Sequence, residues 1–393
     1  MHRMTDVTQV NAASDGLPRP SDLALSTRVA FELARAADLP LRTGLASIVA
    51  TAGIFAALSP SQRRLDREQL DFYVDMASAG DAGKVFLDPD PDHEVVARRG
   101  IPTPGLSPGR VENLTFQSRF EALNPALRSQ YASHKNNRTA RFQHWKHRVG
   151  PRPTLLVIHG FGASPYWLNS AFFSLPWFYT QGYDVVLATL PFHGARASRT
   201  SIIAGQELFS RGFSTLHEAM FHAIHDLRVL LDHLFAEGTP RVGVTGLSLG
   251  GYTSALLSAV DDRLSFVIPN AAVTDMGSLT DTYFPANLAL RTGMPLVGLD
   301  ADAFKQATRV HSPLNYECLV PHSRRMIIAG LGDLLAPPVQ SQMLWEHWDQ
   351  PELHWFPGNH VLHVNRAAYL RKMGRFFNTI GFHADDHQEQ SAA

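Results

Sequence analysis

Gly246-Leu247-Ser248-Leu249-Gly250 is the segment best equipped for chemistry, because it follows the apolar run Arg241-Val-Gly-Val-Thr245 and precedes the helix-forming Tyr252-Thr-Ser-Ala-Leu-Leu-Ser-Ala-Val260. That context reads as strand, tight turn, helix. A serine at such a corner takes a strained backbone conformation that only small neighbours permit, which accounts for a glycine two residues to either side. The turn lifts the hydroxyl clear of a sheet. There the helix N-terminus and the Leu249 amide can stabilise negative charge developing on a substrate carbonyl oxygen. Nucleophilic acyl chemistry follows if partners exist; without them Ser248 is a helix cap in an ordinary glycine-rich turn.

A serine hydroxyl is a poor nucleophile at neutral pH and needs a histidine base held by a carboxylate, so partners are expected at the ends of later strands. Two fit. Asp333 lies in Gly330-Leu-Gly-Asp-Leu-Leu-Ala-Pro-Pro338, directly after the apolar run Met326 to Ala329. His360 closes Phe356-Pro-Gly-Asn-His360, after the short strand Leu353-His-Trp-Phe and before the helical stretch Arg366 to Phe377.

With these elements in this order the chain resembles the α/β-hydrolase superfamily, whose members share a nucleophile elbow, an acid after a late strand and a histidine on the following loop. The likeness runs from about Val111 to Phe382. It implies a serine hydrolase that cleaves carboxylic esters through an acyl-enzyme on Ser248, with no nonprotein cofactor. Ile158-His-Gly-Phe-Gly-Ala-Ser164, after a strand, looks like the superfamily's oxyanion loop, and by that match the Phe161 amide pairs with that of Leu249. Asp275, after the strand Phe266 to Ile268, sits where a minority of the superfamily places its acid; Asp333 is preferred. His360 falls where the superfamily's histidine does, so His363 is expected to start the next helix. Leu190-Pro-Phe-His-Gly194 resembles a Pro-x-His-Gly-x-Arg turn of several such hydrolases, with His193 and Arg196 expected to stabilise the turn and His159 to brace its own loop.

Competing chemistries fail on detail. A dinucleotide-binding reading of Gly160-Phe-Gly162 needs a third glycine where Pro165 stands, and the chain has no G-x-x-x-x-G-K phosphate loop. His217 and His222 fall at i and i+5, about 140° apart around a helix, whereas a metalloprotease pair falls at i and i+4. With His225 they read as a polar helix face, and no metal is expected.

The elements that must hold these residues are legible as continuous apolar runs: Thr154 to Ile158, Asp184 to Ala188, Val242 to Thr245, Phe266 to Ile268 and Met326 to Ala329. Such runs suit strands covered on both faces, and helical stretches such as Thr215 to Phe235 alternate with them, which implies a mostly parallel, doubly wound α/β sheet. Val111 to Phe120 and Arg138 to Trp145 alternate only partly and read as edge strands. Residues 1–20 and 383–393 read as disordered tails, 21–108 as a helical N-terminal extension and 109–382 as the main domain. In the extension, Ser21 and Asp22 offer caps and Leu25, Val29 and Leu33 form an apolar stripe; Leu45 to Leu58 reads as a buried helix, with membrane-surface docking the lesser alternative. The extension is expected to cover the site or to make a homo-oligomer contact. Thr274 to Arg324 is long for a crossover and reads as a small lid, whose apolar residues, with Phe161, Trp167 and Phe192, either line an acyl pocket or pack on the scaffold.

Composition bounds the rest. The 393 residues balance 35 Lys and Arg against 36 Asp and Glu, a net charge of −1 that gives no pull toward nucleic acid. The single cysteine, Cys318, excludes an intramolecular disulfide and reads as a buried small hydrophobe. The first residues lack the apolar stretch of a secretory signal, and Leu45 to Leu58 is too short to span a bilayer, so a cytoplasmic protein acting on a small-molecule acyl ester is expected. The same serine could serve an acyltransferase or a thioesterase, and a third reading is a hydrolase fold kept as a silent binding module.

Overall fold

Thr154–Ile158 and Asp184–Thr189 are buried along their whole length, so both faces of each strand need cover. Successive side chains point to opposite faces. Leu156, Ile158, Val186 and Ala188 accordingly enter one hydrophobic core, and Leu155, Val157, Val185 and Leu187 enter a second on the other side. A computed structural model describes residues 25–58, 60–101, 109–162, 165–201, 203–282, 287–288, 301–363 and 366–383.

Among the described residues nine strands form one sheet, in the order β1-β2-β3-β5-β4-β6-β7-β8-β9. They are β1 Val96–Arg99, β2 Arg110–Gln117, β3 Thr139–Lys146, β4 Thr154–Ile158, β5 Asp184–Thr189, β6 Val242–Leu247, β7 Leu264–Asn270, β8 Met326–Gly330 and β9 Glu352–Phe356. From β5 across to β9 every neighbouring pair is parallel, while β1, β2 and β3 join antiparallel. The helices that bear on the site are α1 Leu25–Leu58, α2 Pro60–Ser78, α3 Tyr166–Phe172, α4 Phe213–Ala236, α5 Leu249–Leu257, α6 Met276–Thr282 and α7 Arg366–Thr379. Residues of α2, α4 and α5 fill the first core, and those of α7 fill the second. The result is a mostly parallel sheet with helices on both faces.

Register places the site. Ile158 of β4 pairs with Gly246 of β6, and Gly330 of β8 with Phe356 of β9, so the loops leaving each pair emerge side by side. All four leave the C-terminal ends of parallel strands, where open α/β sheets bind ligands.

Three expectations are corrected. The segment Arg138 to Trp145 is not an edge strand: β3 lies between β2 and β5, and its side chains from Phe142 to Trp145 are mostly buried. Nor is β2 an edge, because β1 pairs with it; β1 has four exposed residues and precedes the boundary expected near Gly109. The stripe Leu25, Val29 and Leu33 faces outward, at 77%, 54% and 69% exposed, while Phe31, Ala34 and Asp38 form the buried face of α1. Among the described residues no helix is long and apolar enough to cross a membrane. Ser21, Asp22, the side chains of 45, 46 and 48–58, and part of the expected lid, 283–286 and 289–300, lie outside the described residues.

Candidate active site

Ser248 sits between β6 and α5 at φ 56° and ψ −115°, a conformation that non-glycine residues rarely adopt. The strain is held by packing. A Cβ on Gly250 would lie 2.0 Å from the Ile158 carbonyl oxygen, and one on Gly246 would lie 2.3 Å from that of Gly250, so both glycines are required for the elbow to seat against the end of β4. The Ser248 amide donates to the Asn270 carbonyl (3.0 Å), anchoring the turn to β7. Leu249 is the first residue of α5, whose leading amides lack acceptors within the helix.

Asp333 and His360 meet on the adjacent loops after β8 and β9. The His360 Nδ1–H donates to Asp333 Oδ2 at 2.7 Å. The other carboxylate oxygen accepts from the amides of Leu335 (2.8 Å) and Ala336 (2.7 Å), so the acid is fixed in orientation as well as place. Burial alone would disfavour the imidazolium, yet the adjoining, hydrogen-bonded Asp333 carboxylate and the nearby Asp38 carboxylate outweigh it and raise the His360 pKa. The two loops are stitched together by backbone bonds from Leu331 to Phe356 and from Gly332 to Gly358.

The loop after β4 lies against the elbow, with a Cβ at Gly160 only 3.5 Å from that of Ser248. His159 braces it: Nδ1 donates to the Gly160 carbonyl (2.8 Å), and Nε2 accepts from the Leu190 amide (3.1 Å). The bond from Leu190 needs a neutral ring, and burial pushes its pKa down to about 4. Phe161 follows, packing against Phe209 and His193. His193 is buried behind this loop and donates to the Pro191 carbonyl, while the buried Arg196 guanidinium binds the carbonyls of Thr189 and Asn137 and the Asp226 carboxylate. Both hold the turn after β5.

The remaining candidates go elsewhere. Asp275 accepts from the Ser278 amide at the start of α6 and is not bonded to His360. His363 does not begin α7; it lies in the loop before it, with its ring against Phe356, Phe172 and Tyr369, and burial pushes its pKa down to about 3. Phe192 packs into the scaffold against Tyr131 and His134, and Trp167 on α3 is largely exposed. Cys318 is buried.

No family model matches the chain. An uncharacterized protein of Mycobacterium tuberculosis (strain ATCC 25618 / H37Rv), Rv2627c, is 32% identical over 225 residues, 54% of this chain and 50% of the relative. The chain spans about half the length of the curated relatives it matches. Acetyl xylan esterase 1 from Thermoanaerobacterium sp. JW/SL YS485 superposes with a TM-score of 0.53 at 15% identity, over 80% of this chain and 94% of the esterase. Acetyl xylan esterase from Paenibacillus sp. R4 gives the same TM-score and identity over 81% and 98%. The chain has the α/β-hydrolase fold.

Within this α/β-hydrolase fold, two residues that the sequence reading passed over touch the site. Asp38 of α1 accepts at Oδ2 from the amides of Leu334 (3.1 Å) and His360 (3.0 Å). Asn359 shapes the histidine loop by accepting at Oδ1 from the amides of Val361 and Leu362, and its Nδ2 donates to the Ala34 carbonyl of α1 (2.6 Å). The signal for Asp38 was a lone acid on the same helical face as Phe31 and Ala34. Two of the α4 histidines expected on a polar face are buried instead: Tyr73 of α2 covers His217, and Phe120 and Tyr131 cover His222. His217 bonds to His311 and stacks on Tyr73, and His222 bonds to Tyr131 and the Asp226 carboxylate. Among the described residues no cluster of His, Cys, Asp and Glu could hold a metal ion.

Proposed function

We propose that this protein is a serine hydrolase that cleaves carboxylic esters through an acyl-enzyme on Ser248. The observation that carries the reading is the 2.7 Å bond between His360 and a fully anchored Asp333, on loops at the same sheet edge as the strained Ser248 elbow. In this reading His360 takes the serine proton as Oγ attacks the acyl carbonyl, and Asp333 orients the ring and stabilises the imidazolium. The amides of Phe161 and Leu249 receive the oxyanion, a contribution of about 10²- to 10³-fold in rate per donor. His360 then returns the proton to the leaving alcohol, and a water, activated by the same ring, releases the acid. Each step uses side chains and backbone of this chain alone, and the ligand is a small acyl ester.

The test is labelling of the full chain with a fluorophosphonate probe, followed by hydrolysis of p-nitrophenyl esters of rising acyl length from acetate upward. Wild type is expected to label and Ser248→Ala to remain unlabelled while keeping its fold by circular dichroism. A folded wild type that neither labels nor hydrolyses any member of the series would sink the proposal and leave the fold as a binding module.

A further inference from the structure

The N-terminal helix α1 reaches the site from outside the sheet, and its one buried acid binds the backbone on both sides of the acid–base pair. We propose that Asp38 is a positioning residue of the Ser248 site: a single carboxylate oxygen clips the loop of Asp333 to the loop of His360 and so keeps the pair in register. The inference rests on the reading of Ser248 as a nucleophile.

Three observations carry it. The two amides that Asp38 binds belong to Leu334, the residue after the acid, and to His360 itself, so a shift of either loop breaks a bond to the same oxygen. The neighbouring contacts act together with it, since Asn359 ties the histidine turn to the Ala34 carbonyl and the Phe31 ring lies against Gly332, the residue before the acid. Third, Asp38 is 0% exposed and, among the described residues, its Oδ1 has no hydrogen-bond partner. A buried carboxylate with one idle oxygen is an expensive way to hold two loops, because the charge loses its hydration without full compensation. Its cost is understandable if the charge itself serves the histidine: Asp38 and Asp333 are the acids facing His360, with His363 the other titratable neighbour.

The experiment compares wild type, Asp38→Ala and Asp38→Asn as full chains, reading kcat and KM for p-nitrophenyl acetate, fluorophosphonate labelling rate and the pH profile of kcat/KM. A displacement of about 1 Å in a catalytic pair can cost on the order of 10²-fold. Asp38→Ala is therefore expected to lose about 100-fold in kcat with KM little changed. Asp38→Asn keeps an oxygen for both amides, so it restores most of kcat, but the acid limb of its profile moves to lower pH because one of two charges favouring the imidazolium is gone. The low-field NMR signal of the His360 Nδ1 proton gives a readout independent of turnover: it is expected in wild type and Asp38→Asn and broadened away in Asp38→Ala. Persistence of that signal in folded Asp38→Ala overturns the positioning role whether or not the protein hydrolyses esters. If Asp38→Ala does not fold, Asp38→Asn decides instead: it keeps an oxygen for both amides, so a folded Asp38→Asn that loses the low-field signal overturns the role of those two bonds. Failure of wild type itself to label condemns the Ser248 reading and is separable from both.

Discussion

Ser248 owes its conformation to what surrounds it, and the glycines at 246 and 250 are the most exacting of those neighbours. Gly250→Ala would press a methyl group against the backbone of Ile158 and His159, which has no side-chain freedom with which to yield. We expect a stability loss of about 1–3 kcal/mol from overpacking, with slower fluorophosphonate labelling; an unchanged denaturant midpoint would contradict the packing argument. His360 makes a second prediction. Its pKa is raised and the neutral ring is the base, so activity appears as pH climbs through a value above the usual histidine range of about 6.5. A kcat/KM profile whose acid limb falls well below that value would mean that the Asp333 and Asp38 charges do not outweigh burial. The candidates Ser248, Asp333 and His360 are legible because strand ends and turn residues announce themselves locally. Asp38 is not, because an acid in an amphipathic helix looks like a solvated one, and nothing nearby in sequence says otherwise.

Periodicity identifies α1 as amphipathic but does not say which stripe meets the protein. Its large apolar residues Leu25, Val29 and Leu33 point outward, and the inward face carries Phe31, Ala34 and Asp38, since only a small residue at 34 lets Asn359 reach the helix backbone. Leu33→Ser is expected to alter stability by no more than about 0.5 kcal/mol, whereas Phe31→Ala removes a fully buried ring and is expected to cost about 3 kcal/mol. Equal effects in urea titrations would reverse the assignment of the faces. For β1 the sequence offered no pattern, because an outer strand with exposed side chains and two arginines is held by its backbone pairing to β2 alone. The expectation of a polar face on α4 failed for the opposite reason: segments far away in sequence bury His217 and His222, Tyr73 of α2 covering the first and Phe120 with Tyr131 the second, and Tyr73 donates to Glu218 between them.

Across the whole molecule burial leaves many histidines neutral. Those at 144, 193, 311 and 363 are pushed to about 3 and His159 to about 4, against about 6.5 in an unfolded chain. Between those values the unfolded state binds more protons, so stability is lost as pH falls below about 6.5. Asp38 and Glu218, whose pKa values burial raises, and His360, whose pKa the Asp333 and Asp38 carboxylates raise, act in the other direction but are outnumbered. The urea midpoint is therefore expected to be clearly lower near pH 5 than at neutral pH, and a flat response would mean that these rings take up protons in the folded state. The bonds of α1 to the site loops carry a consequence in time as well as in space. They join residues 296, 322 and 325 positions apart, the kind of closure that a folding chain makes slowly because so much of its freedom must first be surrendered. During synthesis the bonds of Asp38 and Asn359 between α1 and the site loops cannot close until residue 360 has been made, and in refolding the helices and sheet are expected to return ahead of the power to react with a phosphonate.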